Sequence, residues 1–399
     1  MSDSYRVVSS QSWFSRIGQS IKSVLVGLAF FVVAFPLLFW NESRAVQTAR
    51  SLKEGAGAVV SVPADKVDPA NEGRLVHMSG LVTAEGALTD EQFGVSAEAL
   101  KLVRRVEMYQ WTEKKSSEEK KKLGGGSETV TTYNYQKDWS DEAIDSASFE
   151  QPGGHENPGA FPVESQTLTA EPITLGAFTL SAEQVEKLGG EEDLPVGEEQ
   201  AAAIPDEQRE GIQVDNGRFY LGENPASPQI GDARISFQVV KPGPRSLVAR
   251  QAGGTFEAYP TQAGDNILLL EEGTKSAVAM FQTAQDANRT LTWILRAVGF
   301  IVMFLGLLLI FKPIAVFADV VPLVGTLLGA GLGLFSFLTA LFLSLVTIAV
   351  SWIFVRPLLG LLLLAVALGA IAWLISVGVK KKKARATAAV PPPPLPSPA

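Results

Sequence analysis

The feature that most constrains this chain is a long apolar block at residues 291–379. Its only charged residues are Arg296, Lys312, Asp319 and Arg356. Because a bilayer core about 30 Å thick requires about 20 apolar residues per helix, the block is long enough for several membrane spans. The sequence therefore predicts an integral membrane protein.

Two prolines, each preceded by a charged residue, divide the apolar block. They are Pro313 and Pro357, and proline disfavours the interior of a helix. The predicted helices therefore cover residues 293–311, 320–355 and 358–379.

The basic residues that flank the apolar runs predict the orientation in the membrane. Four lysines at 380–383 follow the last predicted span, and the positive-inside rule places them in the cytoplasm. Arg16 and Lys22 precede a second apolar run at 23–40, so the N-terminus is also expected inside. That run is either a cleaved signal peptide or an anchor, and the anchor is favoured because no small-residue cleavage site follows.

Two cytoplasmic termini require an even number of spans. One span near the N-terminus and three near the C-terminus meet this condition, provided that residues 320–333 are an interfacial or re-entrant lead-in rather than a separate span. The sequence leaves open whether 320–333 is re-entrant, interfacial or part of a span.

The charge distribution separates the middle of the chain from its flanks. Residues 1–40 and 291–399 contain eleven of the 34 basic residues and two of the 42 acidic ones, which leaves 23 basic and 40 acidic residues for 41–290. An acidic domain of this size is expected outside the cytoplasm, and nucleic-acid binding is not expected because it requires a basic patch. The chain contains no cysteine, which excludes a disulfide framework and thiolate chemistry.

These observations predict an α+β membrane protein with four transmembrane helices and a large β-rich extracytoplasmic domain between the first and second. The segments are a mobile cytoplasmic lead at 1–22, transmembrane helix 1 at 23–40, the periplasmic or lumenal α+β domain at 41–290, the three-span membrane domain at 291–379, and a cytoplasmic basic and proline-rich tail at 380–399.

Alternating apolar residues predict strands in the middle domain. They cover residues 58–62, 74–82, 103–113, 128–139, 218–221, 233–240, 246–251, 255–259 and 266–270. Residues 114–127, rich in lysine, glutamate and glycine, are predicted as a solvated hairpin tip. Residues 276–290 are predicted as a helix that leads into the second span.

Sequence signatures of enzymes are missing. The chain has no nucleophile elbow, zinc-protease motif or phosphate-binding loop, so we expect no catalytic, cofactor-binding or metal-binding residues. The two histidines are His77, within a predicted strand, and His155, in a loop beside Glu156. His77 is interpreted as a packed residue, and a hydrolase that uses His155 is the weakest of the functional alternatives.

Three glycines repeat at every fourth position of the apolar block, at Gly325, Gly329 and Gly333. Small residues on one helix face allow backbones to approach closely, so these positions are predicted to mediate helix packing or oligomerisation. The alternative is that glycine is simply common in membrane helices. Buried acids are typical of transporter spans, and Asp319 is the single acid in the block.

Several segments together resemble the LUMA (transmembrane protein 43) family. They are NESRA at 41–45, NEGRLVH at 71–77, RVEMYQW at 105–111, HENP at 155–158, VES at 163–165, ENP at 223–225, GDARISF at 231–237, VARQ at 248–251 and WILRA at 293–297. The family-motif residues singled out are Asn71, Glu72, Gly73, Arg74, His77, Glu107, Met108, Tyr109, Gln110, Trp111, His155, Asn157 and Pro158.

The resemblance implies one N-terminal span, a large lumenal domain and three C-terminal spans. Animal members of the family are multi-pass proteins of the endoplasmic reticulum and inner nuclear membrane that self-associate and contact lamins and emerin, and no enzymatic activity is established for them. The lysine-rich tip, the missing cysteines and the proline tail suggest a distant, bacterial member. In that case an inner-membrane location and a periplasmic domain are expected.

The predicted function is a non-enzymatic, self-assembling membrane scaffold that organises membrane protein complexes or membrane structure. The expected partners are membrane lipids, further copies of the chain and other membrane proteins. A channel or transporter subunit is the alternative from a different functional class.

Overall fold

The structure is a computed structural model that describes residues 3–205 and 209–355. Two compact units are present. The first, called the β domain here, is drawn from residues 1–19, 47–289 and 314–328. The second, called the helical unit, is drawn from residues 20–46, 290–313 and 329 onward.

Three long helices and two short ones are present among the described residues. They are α1 (Trp13–Ala58), α2 (Ala182–Glu186), α3 (Glu198–Ala203), α4 (Ala277–Ala318) and α5 (Pro322–Val355). The helices α1, α4 and α5 are long and apolar enough to cross a membrane. Serine side chains cap α1 and α4, because Ser12 accepts from the Ser15 amide and Ser276 from the Ala279 amide.

The predicted fold class is confirmed in its main features: an α+β protein with one N-terminal and two C-terminal apolar helices and a β-rich middle. The predicted span at 358–379 lies outside the described residues. Residues 322–355 form one uninterrupted helix, so 322–333, which was expected to be an interfacial or re-entrant segment before the span, is part of α5. The prediction that Pro313 ends a helix is wrong, because α4 continues through it to Ala318. Membrane helices tolerate proline where neighbouring groups satisfy the freed backbone carbonyl.

One hairpin contains the two longest of the described strands. In chain order the strands are β1 (Asp3–Gln11), β2 (Val60–Ser61), β3 (Leu75–Ala84), β4 (Leu88–Asp90), β5 (Val95–Ala97), β6 (Lys101–Lys121), β7 (Ser127–Ser140), β8 (Gln166–Thr169), β9 (Ile173–Leu175), β10 (Phe178–Thr179), β11 (Glu191–Leu194), β12 (Ile212–Asp215), β13 (Arg218–Leu221), β14 (Ala233–Val240), β15 (Gly243–Ala252), β16 (Thr255–Glu257), β17 (Tyr259–Pro260), β18 (Asn266–Ile267) and β19 (Leu269–Glu272).

Two main sheets organise the β domain. The larger has the order β1-β7-β6-β14-β13-β12, with β11 paired to β14 and β8 paired to β6. The other has the order β10-β9-β3-β15-β16, with β19 on β15 and β2 parallel to β3. The pairs β4–β5 and β17–β18 form two small additional sheets.

The hairpin of β6 and β7 is longer than its sequence indicates. The charged residues that were predicted as a solvated tip continue the strands as far as Lys121 and Ser127, so that only 122–126 remain as the turn. Residues 3–11, expected within a mobile lead, form β1. All nine of its residues pair with β7, from Asp3 opposite Tyr135 to Gln11 opposite Ser127.

The membrane helices enter the core of the β domain. Leu52 of α1 and the α4 residues Met280 and Phe281 pack in one buried cluster with Leu75 and Val248 of the sheet. Burial of each such side chain contributes roughly 1.5–3 kcal/mol. The extramembrane ends of α1 and α4 are therefore part of the β domain.

Candidate functional site

Several family-motif residues meet beside the hairpin in an aromatic cluster. This cluster, called the motif cluster here, contains Trp111, Tyr135, His155 and Asn157. The His155 ring stacks on Tyr135 with centroids 3.9 Å apart and meets the Trp111 ring edge-on at 4.8 Å. The sequence predicted these motifs as separate segments, and the fold brings them together.

Asn157 fixes the loop of the motif cluster against β6. Its Oδ1 accepts from the Trp111 amide at 2.7 Å, and its Nδ2 donates to the Trp111 carbonyl at 3.0 Å. One side-chain amide thus satisfies both backbone groups of a strand residue, as a neighbouring strand would do. Gln110 is fully buried and also bonds to the backbone with its side-chain amide. It donates to the Glu142 carbonyl and accepts from the Ile144 amide.

The geometry of His155 does not favour catalysis. Its Nδ1 lies 2.9 Å from the Gln151 carbonyl oxygen and its Nε2 lies 3.0 Å from Asp3 Oδ2, so both ring nitrogens have a partner. The ring is buried under aromatic neighbours rather than exposed in a cleft. His155 therefore joins the loop to β1, the strand that the sequence did not predict.

Tyr135 adds a hydrogen bond beneath the histidine. Its hydroxyl donates to Glu113 Oε2 at 2.8 Å and accepts from the Gln151 amide at 3.0 Å. Burial, followed by the hydrogen bond to the Glu113 carboxylate, raises the pKa of Tyr135 to about 12. The phenol is therefore neutral at ordinary pH and acts as a structural donor.

The remaining motif residues of β6 stabilise the larger sheet. Met108 is buried, and the Tyr109 ring lies on Trp139 at 5.1 Å. Glu107 accepts two hydrogen bonds from Arg234, from Nε at 2.7 Å and from Nη2 at 3.0 Å. The hydrogen bond from Arg234 holds the pKa of Glu107 below its usual range. Pro158 borders Gly231, where an added Cβ would lie 3.3 Å from the proline ring.

The motif at 71–77 forms a turn of the second sheet. Gly73 has φ +73°, which favours glycine, and its amide donates to the Gln251 carbonyl. Arg74 Nη1 lies 3.4 Å from Asn71 Oδ1, and Glu72 accepts from the Gly253 amide.

His77, which was predicted as a packed residue, lies on β3. Its ring nitrogens lie 3.1 Å from Ser61 Oγ and 2.9 Å from the Lys275 carbonyl oxygen. Like His155, it has oxygen partners at both nitrogens.

Within the helical unit, a buried carboxylate joins the three long helices. Glu42 of α1 is 2% exposed, and Arg296 of α4 donates to its two oxygens, from Nε at 2.6 Å and from Nη2 at 2.9 Å. Trp352 of α5 donates from its indole nitrogen to Glu42 Oε2 at 2.7 Å. The Arg296 guanidinium also lies over the Trp293 ring at 4.6 Å. Arg296, one of the four charged residues of the apolar block, therefore forms an ion pair with a buried carboxylate.

A second buried ion cluster lies at the tip of the hairpin, within the β domain. Asp319, at the turn between α4 and α5, is 1% exposed and contacts Arg16 Nη2 and Lys121 Nζ, each at 2.6 Å. Arg16 Nη1 also donates to the Gly125 carbonyl at 2.6 Å. Two cations and the tip of the hairpin therefore surround the acid that the sequence singled out as a possible transport residue.

The comparisons with known proteins agree with the motifs. The family model described as Transmembrane protein 43 matches residues 108–357. Transmembrane protein 43 of Mus musculus is 37% identical over 367 residues, which cover 89% of this chain and 90% of the mouse protein. The chain belongs to the transmembrane protein 43 family. The Homo sapiens protein is 37% identical over 372 residues, covering 90% of this chain and 91% of the human one.

The Drosophila melanogaster homologue of transmembrane protein 43 is 31% identical over 360 residues, covering 88% of this chain and 93% of the fly protein. No solved structure matches the chain. The similarity to other transmembrane protein 43 sequences therefore extends over most of the chain. It covers more than the acidic middle domain alone, and this chain is a membrane protein of that family.

Glycines give this transmembrane protein 43 member a close helix contact that the sequence did not predict. A Cβ on Gly306 of α4 would lie 2.7 Å from the Phe31 amide nitrogen and 2.9 Å from the Gly27 carbonyl oxygen of α1. A Cβ on Gly27 would likewise lie 2.7 Å from the Gly306 carbonyl oxygen. The two backbones therefore approach each other more closely than any side chain would allow.

The three glycines that were predicted as a packing face have different surroundings within one copy. Gly325 is buried against Asp319, and a Cβ there would lie 1.9 Å from Oδ1 of that acid. Around Gly333, no other described residue has an atom within 4 Å of the corresponding position, apart from the helix's own nearby backbone, and Gly329 is partly exposed. Their role in oligomerisation stays a prediction.

Chemical groups suited to catalysis are not brought together in the part of the chain that the structure describes. No group of three or more histidines, aspartates and glutamates there is arranged to hold a metal ion. A cavity of about 740 Å³ lies between β8 and α2, with Ile173 and Leu180 in its wall. The amine of Lys101 at its edge donates to the carbonyls of Glu186 and Leu188, and burial lowers the pKa of this lysine.

Proposed function

We propose that this transmembrane protein 43 family member is a self-assembling integral membrane scaffold without enzymatic activity. Its role is to organise other membrane proteins, or the membrane itself, around an acidic extracytoplasmic domain. Its partners are membrane lipids, further copies of the chain and other membrane proteins, and it requires no cofactor. The compartment depends on the source: the inner membrane in a bacterium, or the endoplasmic reticulum and inner nuclear membrane in a eukaryote.

The observation that carries this proposal is the way in which the membrane helices enter the β domain. Both α1 and α4 extend without interruption from an apolar segment to buried contacts in the core cluster that contains Leu52 and Phe281. Two continuous helices therefore join the β domain to its membrane anchors, an arrangement that suits a scaffold. The polar motif residues also use their hydrogen bonds within the fold, which favours a structural role over a catalytic one.

The mass of the purified protein tests self-assembly. One chain has a mass of 42.6 kDa. By light scattering in mild detergents and in nanodiscs, we expect a protein mass of two or more chains. A monomeric mass in every detergent and in nanodiscs would refute the proposal.

Gly329→Leu tests whether the predicted glycine face carries the assembly. In lipid, lost van der Waals contact between helices is not offset by a hydrophobic driving force. We therefore expect Gly329→Leu to reduce the cross-linking yield between copies without preventing insertion. Leu332→Ala is the matched control, and equal yields for the two variants would show that these glycines are ordinary membrane residues.

The alternative of a channel or transporter depends on the buried acid Asp319. Flux into liposomes that is lost in Asp319→Asn would favour this alternative, whereas no flux above that of empty liposomes would support the scaffold. The Arg16 and Lys121 contacts of this acid favour a structural ion cluster.

A further inference from the structure

The cavity between β8 and α2 lies wholly within the β domain, because all of its lining residues fall between positions 101 and 186. Its volume of about 740 Å³ is within the range of about 300–1,000 Å³ that small-molecule sites occupy. Its wall is drawn from β6, β8, β9, β10, α2 and the segments between them, and it includes no residue of the family motifs or of the buried ion clusters. The cavity is therefore a candidate ligand site that is separate from those features.

The floor of the cavity is apolar and is part of the domain core. Ile173 and Leu180 are 1% and 5% exposed and belong to the core cluster that also contains Phe178 and Phe256. The Leu180 amide donates to the Ile173 carbonyl at 2.9 Å, and the two phenylalanine rings stack with centroids 4.7 Å apart. The packing of the core therefore fixes the floor. An apolar group that covers it removes hydrocarbon surface from water, which is favourable.

One basic residue, Lys101, lies at the edge of this floor. Its Nζ donates to the Glu186 carbonyl at 3.1 Å and to the Leu188 carbonyl at 3.0 Å. An ammonium group has three donors, so one remains for a ligand. Lys101 forms no ion pair with the residues that the structure describes, and burial lowers its pKa more than the carboxylates of Glu191 and Glu186 raise it. The cavity therefore has a partly desolvated positive charge without a close counter-charge.

The short helix α2 determines where this charge lies. Gln184 of α2 is 1% exposed, and its side chain accepts from the Ser181 amide at 2.8 Å and donates to the Phe256 carbonyl at 2.7 Å. These contacts fasten α2 to β16. The last carbonyls of a helix have no partner within the helix, and here Lys101 supplies the donor. The ammonium group is thus held between β6 and α2 at the edge of the cavity.

Two exposed carboxylates restrict the charge of the ligand. Glu171 and Glu186 line the cavity, and neither forms an ion pair with another described residue. Water and salt screen exposed charges, so these carboxylates weaken the attraction of an anion to the more buried Lys101 without cancelling it. Their repulsion increases with each further negative charge on the ligand, so a group with a single negative charge fits better than a dianion.

We propose that the cavity binds an amphiphile with one negative charge, such as a fatty acid. Its hydrocarbon chain covers Ile173 and Leu180, and its carboxylate accepts the third hydrogen bond of Lys101. Thr169 lies opposite Lys101 in the pairing of β8 with β6, on the same face of the sheet, and its hydroxyl donates to the second carboxylate oxygen. The site goes beyond the proposed scaffold and does not depend on self-assembly, since one β domain supplies every residue that forms it.

A fluorescent label beside the cavity tests the proposal in the full-length protein in nanodiscs. The chain has no cysteine of its own, so Glu183→Cys on α2, exposed and outside the cavity wall, places an environment-sensitive dye there. Glu198→Cys, exposed on the other short helix, is the matched control label. Any effect of a probe that only enters the lipid is expected at both labels.

The probes are octanoate, octylamine and octyl phosphate, which share one chain length and differ in the charge of the head group. A phosphate monoester carries a charge of about −1.5 to −2 at neutral pH. We expect octanoate to cause a saturable change of emission at the label on α2 and none at the control label. Octyl phosphate should bind more weakly than octanoate, and octylamine should cause no saturable change.

Substitutions in the cavity locate the binding. Lys101→Met should weaken octanoate binding about tenfold, because a hydrogen bond to a charged group is lost, and Lys101→Arg should retain most of the affinity. Lys241→Met, which removes an exposed lysine paired with the exposed Glu192, is the matched control and should bind as the wild type does. Thr169→Phe, an exposed position in the cavity wall, should abolish binding because the ring fills the space.

Three results would overturn the proposal. They are the absence of a saturable response to octanoate, octylamine or octyl phosphate binding as tightly as octanoate, and unchanged octanoate binding in Thr169→Phe. Equal octanoate affinity in Lys101→Met and Lys241→Met would refute the role of Lys101. If Lys101→Met does not fold, Lys101→Arg and Thr169→Phe still decide the question. The mass measurement that tests self-assembly has no bearing on these results, so the two proposals fail separately.

Discussion

The ion pair of Glu42 with Arg296 gives the sharpest test of how the helical unit is held together. Glu42→Gln keeps the shape of the side chain and replaces one oxygen by a donor group. Three donors, two from Arg296 and one from Trp352, contact the two oxygens of Glu42 in the wild type. In the variant, at least one of them faces another donor, and the arginine loses its counter-charge.

The cost follows from the burial of the pair. Glu42 is 2% exposed and the Arg296 side chain 17%, so water replaces little of the lost interaction. Removal of one partner from a buried ion pair costs about 3–5 kcal/mol, and the partial exposure of Arg296 favours the lower end. For a chain of 399 residues, about 3 kcal/mol corresponds to a decrease in Tm of roughly 4 °C.

The assay is the temperature at which half of the detergent-solubilised protein remains soluble and monodisperse. The double variant Glu42→Gln/Arg296→Gln should regain part of the loss, because the uncompensated charge is removed. Glu118→Gln, at an exposed ion pair, is the matched control and should change Tm little. A Tm for Glu42→Gln equal to that of this control would refute the reasoning.

Three further predictions concern other contacts. Gly306→Ala should lower Tm and reduce the yield of folded protein, because its Cβ overlaps the α1 backbone. Gly333→Ala, whose Cβ would contact none of the other described residues, should not. Asn157→Ala leaves two backbone groups of β6 without partners and should destabilise the β domain by about 1–3 kcal/mol, measured by denaturant unfolding. Burial and the hydrogen bond to Glu113 raise the pKa of Tyr135 to about 12 in the folded protein. The protonated hydroxyl therefore contributes fully to the free energy of unfolding below pH about 10, and this contribution is lost as the pH rises through 12. Tyr135→Phe should lack this decline of stability with pH.

The strands of the β domain were predictable where their pattern is local. Residues 218–221 and 233–240 were predicted as strands, and β13 and β14 have these bounds. Apolar and polar residues alternate along most of 233–240, because one face of the sheet is buried there. The membrane helices were predictable for a similar reason, since the length of an apolar run decides whether it can span a bilayer.

β1 was not predictable in this way. Its residues carry a weak alternation, and the stabilising partner is β7, more than a hundred positions away. Residues 114–121 were interpreted as a loop because charge runs are usually solvated. Their charges are exposed on a strand, so the composition was interpreted correctly and the backbone conformation was not.

The ion pairs show a different limit of sequence reasoning. Glu42 follows the first apolar run and Arg296 lies near the start of the second, so opposite charges at equal depth were a usable signal. Both lie in segments that carried the family resemblance. Their pairing could be inferred only once α1 and α4 were known to be neighbours, which depends on contacts such as that of Gly306 with Gly27.

The positions of the buried charges explain how apolar helices keep a single register. Leucine and valine surfaces pack almost equally well when one helix slides by a turn along another, because hydrocarbon contacts have no direction. On α1, Arg16 and Glu42 lie about 26 residues apart, which is roughly 39 Å at 1.5 Å per residue. Their partners Asp319 and Arg296, on α4 and the turn that follows it, lie about 23 residues apart, or roughly 35 Å. Each separation slightly exceeds the bilayer core of about 30 Å, so both ion pairs lie near its boundaries, where charge is tolerated. A slip of one turn, about 5.4 Å, would separate both pairs at once, and this joint penalty selects one arrangement of α1 against α4.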